Sequence, residues 1–302
     1  MIKLILFLAS LEQKVKESKI IEADFKKLQK EKSEYGAKLP SPTTAGKIKA
    51  GFYNVGKIVH NAYDNTIGYA VAKGQNRGTR EFYIKNPASK DKIVYLMHGV
   101  FQNEGSQAKL GKQLKKGGYN PYHLKGKHHL KRKENAEQAF EQIDEFQKDT
   151  KLKNPSKRSD IYSGQSSGAD VGIYMAGDKR IIKYGIRKVQ ARAPAPTGVK
   201  PKTLGQRLLI PLVPEDSLKG DMGKRNAVEL NRRKPKVPVY VVSGKYDNLV
   251  PPSDAVYKHA KKHHIIDDKD STHFGTAGGN KKMNDIIIDL MKNPNKKYKR
   301  AA

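Results

Sequence analysis

From residue 92 onward, short apolar runs alternate with amphipathic stretches. Lys92–Met97 is a nearly continuous apolar strand, and further strand-like runs follow at Tyr119–Leu124, Asp160–Tyr162, Lys188–Ala193, Val237–Val242 and His264–Asp267. Between them the periodicity changes to that of helices. One is predicted over 106–116 and ends at Gly117-Gly118, residues suited to a helix C-terminus. A second covers 134–150, with Ala136, Ala139, Phe140, Ile143 and Phe146 on one face. Others are expected over 169–183, 253–262 and 281–292. Strand and helix in regular alternation predict an α/β fold, a mostly parallel central sheet flanked by helices on both faces.

The chain before residue 92 follows another pattern. Leu4, Leu8, Leu11 and Val15 recur at helical spacing, and Ile21, Phe25 and Leu28 continue in a shifted phase. One or two amphipathic helices lying on a larger body are expected, then a break at Gly36–Pro42 and a further helical stretch over 45–66. Gly68–Ala72 and Arg80–Ile84 read as a hairpin. A second interruption, 195–236, sets Leu208–Val213 among many Lys and Arg. Its length and its place inside a regular alternation predict a cap or lid. The expected organisation is an N-terminal helical extension (1–66), a core made of 67–194 and 237–295, a cap insertion (195–236) and a basic tail (296–302), with no internal repeat.

Charge narrows the partners. In 302 residues there are 60 Lys+Arg against 30 Asp+Glu, a formal net charge of +30, which concentrates anions near the surface. The cations are spread along the whole chain, which argues against specific nucleic-acid recognition and keeps an anionic membrane surface as a partner. Absence of cysteine excludes disulfides, thiolate metal sites and a cysteine nucleophile. The apolar start, Met1–Ser10, is at the short limit for a signal peptide and reads as a packed helical turn, so a cytoplasmic protein is expected.

The chemistry centres on Gly164-Gln165-Ser166-Ser167-Gly168, a G-x-S-x-G match between a strand and a small-residue helix. Ser166 has glycine two residues away on each side; Ser167 has Gln165 and Ala169. Ser166 is therefore the candidate nucleophile. It needs a base and a carboxylate to orient that base. Asp247 follows the strand ending at Val242, and His273 follows the strand around Ile265. In a parallel sheet, loops after successive strands gather on one edge, so the three would meet. The oxyanion would rest on backbone N–H groups of Ser167, at the start of the next helix, and of Val100, with Phe101 as the alternative. His98 is read as structural, and His263 and His264 fall at the wrong end of their strand.

His98-Gly99, Gly164–Gly168, the Gly244–Pro251 segment with Asp247, and Thr272-His273-Phe274 together make residues 68–293 resemble the α/β-hydrolase superfamily, in its lipase and esterase branch. The resemblance implies an α/β-hydrolase fold with Ser166 as nucleophile, His273 as base, Asp247 as its orienter, and Val100 and Ser167 as oxyanion donors. It implies neither cofactor nor metal, and a small-molecule or lipid ester as substrate. Many lipases carry His where this chain has Gln165, and residues 1–66 have no counterpart in that pattern. A thioesterase, acyltransferase or peptidase could use the same triad, and a non-catalytic basic binding protein could use the same scaffold.

Overall fold

The computed structural model describes residues 2–37, 92–99, 102, 104–126, 131–198, 220–247, 249–273, 275–278 and 280–295. The expected helix over 45–66, the hairpin at 68–84, the apolar run Leu208–Val213 and the basic tail lie outside them. In chain order the elements are α1 (Ile2–Ala37), β1 (Lys92–Met97), α2 (Ala108–Lys116), β2 (Tyr119–Leu124), α3 (Arg132–Asp149), β3 (Asp160–Gln165) and α4 (Ser167–Ala176). They continue with α5 (Arg180–Lys183), β4 (Ile186–Arg192), α6 (Gly220–Arg232), β5 (Val239–Gly244), β6 (Lys262–Ile266) and α7 (Lys281–Lys292).

Among the described residues the six strands form one sheet in the order β2-β1-β3-β4-β5-β6, and each described pairing is parallel. Alternation along β1 explains the layers. Ile93, Tyr95 and Met97 face a core shared with α3 and α4. Val94 and Leu96 face the opposite side, where α2 and α7 contribute Leu110, Leu114, Ile287, Ile288 and Met291. Both faces are covered, which is why β1, β3 and β5 are almost wholly buried despite their few alternating polar positions. α4 lies against the centre of the sheet, and every residue from Gly168 to Ala176 is buried. α7 matches its expected bounds because Asn280 caps it, its side chain accepting from the N–H groups of Lys282 and Met283.

One expectation is corrected. The helix expected over 253–262 is absent: the segment is a series of turns. Its polar groups are taken by distant partners rather than by a helical ladder. The Asp254 carbonyl accepts from Thr197 Oγ1, and the Tyr257 N–H donates to His263 Nε2. The segment 2–37 is a single helix, one of the two arrangements expected for it. Residues 12–19 are exposed, whereas Leu28 and Lys32 are buried. Among the described residues, no helix is long and apolar enough to cross a membrane.

Within the expected cap, α6 packs against α1. Glu22 pairs with Lys224 at 2.9 Å, Asp24 accepts from Arg232 Nε at 3.0 Å, and Lys224 lies 5.8 Å from the Phe25 ring centre. The Arg233 guanidinium sits 3.9 Å from the ring centre of Tyr174. Three of the cap cations that could meet an anionic surface are thus already engaged within the fold.

Candidate active site

β3 ends at Gln165 and α4 begins at Ser167, leaving Ser166 alone to make the turn. It does so with φ 54° and ψ −122°, a conformation that costs a non-glycine residue on the order of 1–3 kcal/mol. Both sides of the residue are pinned. Its N–H donates to Arg192 O at 2.8 Å, and its carbonyl accepts from the N–H groups of Ala169 and Asp170 at 2.9 and 3.2 Å. The flanking glycines serve close approach. A Cβ on Gly164 would lie 2.1 Å from Gly168 O, and one on Gly168 would lie 2.5 Å from His98 O. Strand, helix and the loop after β1 can come together only if both positions lack a side chain.

That loop runs directly against the turn. A Cβ on Gly99 would meet Gln165 Oε1 at 2.5 Å and Ser166 Cβ at 2.7 Å. Val100 and Phe101, the expected oxyanion donors from this loop, lie outside the described residues. Ser167 is the first residue of α4, where backbone N–H groups have no acceptor within the helix and the helix dipole favours negative charge. His98 is structural, as expected: Nδ1 is 2.9 Å from Gly99 O, and Nε2 accepts the Gly126 N–H at 3.3 Å.

Asp247 and His273 come from the loops after β5 and β6 and meet at 2.8 Å, Oδ2 to Nδ1. Both are buried, at 2% and 8% exposure. The other oxygen of Asp247 accepts the N–H groups of Leu249 and Val250 at 3.0 and 2.8 Å, which aims the carboxylate at the ring. With Nδ1–H donated to Asp247, Nε2 carries the lone pair. Ser166 is joined to this pair through its neighbour: Gln165 Nε2 donates to His273 O at 3.2 Å. Thr276 Oγ1 donates to the same carbonyl at 2.8 Å, and Arg192 Nη1 donates to Thr276 O at 2.6 Å. Arg192 is fully buried, and burial pushes its pKa down to about 9.

The two competing histidines are elsewhere. His263 and His264 lie in the first half of β6, where His263 Nε2 accepts the Tyr257 N–H and His264 Nε2 is 2.9 Å from Pro294 O. Burial, reinforced by the His264 charge, holds the pKa of His263 at about 4; burial also lowers that of His264.

No family model and no curated protein matches the sequence. Solved structures do match. A membrane phospholipase A described as a bacterial virulence factor aligns with a TM-score of 0.50 and 11% identity over 82% of this chain and 100% of its own. A lipase-esterase related protein from Clostridium acetobutylicum aligns with a TM-score of 0.46 and 17% identity over 70% of this chain and 98% of its own. An alpha/beta hydrolase enzyme from a lagoon-sediment metagenome, MGS-MChE2, aligns at 0.44 and 14% over 68% and 93%. Parallel strands in the order above, with a strained serine between the third strand and its helix, decide the matter. The chain has the α/β-hydrolase fold.

In that fold Gly99, Ser166, Asp247 and His273 all lie at the strand C-termini; Asp247 meets His273 directly, and Ser166 is linked to His273 through Gln165. Sequence reasoning passed over Gln165, Thr276 and Arg192. Gln165 stood inside the motif and could have been found from its position beside the nucleophile. Thr276 and Arg192 carry no local signal, because their roles depend on contacts across the sheet.

Proposed function

We propose that the protein is a serine hydrolase that cleaves carboxylic esters of small molecules or lipids through an acyl-enzyme on Ser166. The observation that carries this reading is the strained Ser166 turn on the same sheet edge as the buried Asp247–His273 pair. A residue other than glycine at φ 54° is maintained against its own strain, and such strain concentrates where function requires it.

In the proposed reaction, Ser166 Oγ attacks the acyl carbonyl while His273 Nε2 takes its proton. Asp247 holds the imidazole in the tautomer that leaves Nε2 free to accept, and it stabilises the imidazolium that forms. Negative charge developing on the carbonyl oxygen is met by the N–H groups of Ser167 and Val100. His273 returns its proton to the leaving alkoxide, and water activated by the same base then releases the acid.

The test is a fluorophosphonate probe with peptide mapping, followed by turnover of short- and long-chain nitrophenyl esters with a thioester arm beside them. Labelling of Ser166 and ester turnover, both lost in Ser166→Ala, is the expected result. A label on Ser167, or no label and no turnover, removes the reading.

A further inference from the structure

The segments that follow β4 and β5 are fastened by a side chain from the far N-terminal part of the chain. Lys32 Nζ lies 2.7 Å from Asp254 Oδ1 and donates to Gly198 O at 3.4 Å. Both partners of the ion pair are buried, Lys32 at 6% and Asp254 at 2% exposure. One turn earlier on α1, Gln29 Nε2 donates to Thr197 O at 3.2 Å. Thr197 Oγ1 in turn donates to the Asp254 carbonyl at 3.3 Å. The second half of α1 therefore lies like a bolt across two loops on the catalytic edge.

The same loop carries the candidate acid. Two hydrogen-bonded turns link Asp247 to Asp254. Asp247 Oδ1 takes the N–H groups of Leu249 and Val250, and Pro251 O takes those of Asp254 and Ala255. Val250, Asp254 and Ala255 are buried, which packs this loop against the core. At one end it presents Asp247 to His273; at the other it is held by Lys32. An ammonium inside the protein opposite the Asp254 carboxylate is also a directional restraint, because leaving either charge alone there is far more costly than keeping the pair.

We propose that Lys32 is a positioning residue for the triad: through Asp254 it holds the 247–255 loop, and so the Asp247 carboxylate, in register with His273. The N-terminal helix is then part of the catalytic apparatus. This inference rests on the ester-hydrolase reading above.

The test uses the full chain carrying Lys32→Met, Lys32→Arg, or the neutral pair Lys32→Met with Asp254→Asn, each with and without Asp247→Asn. The neutral pair removes both charges of the Lys32–Asp254 contact and so remains foldable where Lys32→Met alone does not. Readouts are the rate of Ser166 modification by a fluorophosphonate, kcat and KM on a nitrophenyl ester, and circular dichroism. Lys32→Met and the neutral pair should slow Ser166 modification and kcat by about 10- to 100-fold, the size expected of a small misplacement of a catalytic group, with KM nearly unchanged. Lys32→Arg should recover part of the loss. In the Asp247→Asn background the same changes should slow the reaction no further, because the residue through which they act has been disabled. A neutral-pair variant that reacts at Ser166 as fast as the parent overturns the inference and leaves the hydrolase reading intact. Equal slowing with and without Asp247→Asn also overturns it. A parent protein that labels at no serine overturns both.

Discussion

The side-chain amide of Gln165 donates to the main-chain carbonyl of His273 at 3.2 Å, so the residue before the candidate nucleophile holds the candidate base in place. Gln165 is fully buried, and among the described residues its Oε1 has no hydrogen-bond partner and faces the Gly99 backbone. Gln165→Ala should lower kcat by about 10-fold or more through a displaced His273, and lower stability by about 1–3 kcal/mol through a lost buried hydrogen bond. Gln165→Glu should be worse on both counts, since it buries a charge beside a carbonyl oxygen. Ester kinetics and urea unfolding on the two variants check this; an unchanged kcat would show that the bond has no positioning role.

The strain at Ser166 makes an opposite prediction for stability and activity. Glycine adopts positive φ freely, so Ser166→Gly should stabilise the fold by about 1 kcal/mol while abolishing turnover. Ser166→Ala keeps a Cβ and should abolish turnover with almost no gain. Urea midpoints of the three proteins decide it: equal midpoints for the Gly and Ala variants would mean that the turn is not strained.

His273→Ala and Asp247→Asn should each reduce kcat by orders of magnitude. His263→Ala and His264→Ala should leave kcat within a few-fold, because both rings bond to backbone at the other end of β6. Activity that survives His273→Ala but is lost at either of the other two would reassign the base.

His263 also sets a pH dependence of stability. Its folded pKa, about 4, lies below the ordinary value of 6.5, so the unfolded chain takes up a proton that the folded chain refuses. The resulting loss of stability begins as pH falls below about 6.5 and levels off near 4. His264, lowered in the same direction, adds to the slope. Unfolding free energies measured between pH 8 and 4 should fall in this window, and His263→Gln should flatten part of that fall. An identical slope in the variant would rule out His263 as its source.

How far the sequence spoke depended on whether a feature was local. Tyr119–Leu124 and Lys281–Lys292 match their predicted bounds because apolar pattern, turn residues and cap all sit within a few positions. β5 starts at Val239 rather than Val237, since Pro238 has no N–H to donate, although its carbonyl still accepts from Val189. Ser166, Asp247 and His273 were legible because each closely follows its own strand. The 253–262 segment was not: its composition suits a helix, but Lys32, Thr197 and His263 take its polar groups from three different places. Gln165, Thr276 and Arg192 act through backbone carbonyls, for which any residue type can serve as partner, so pattern alone cannot mark them.

The pairing of α1 with α6 has a consequence for biosynthesis. Glu22 and Lys224 are 202 positions apart, and Asp24 and Arg232 are 208. At translation rates of about 5–20 residues per second, α1 leaves the ribosome roughly 10–40 s before its partner helix exists. During that interval a Lys- and Glu-rich helix lacks the partner that α6 later supplies. α1 therefore cannot complete its docking until α6 has been made, and until then the side that α6 covers is open to chaperones or to neighbouring nascent chains.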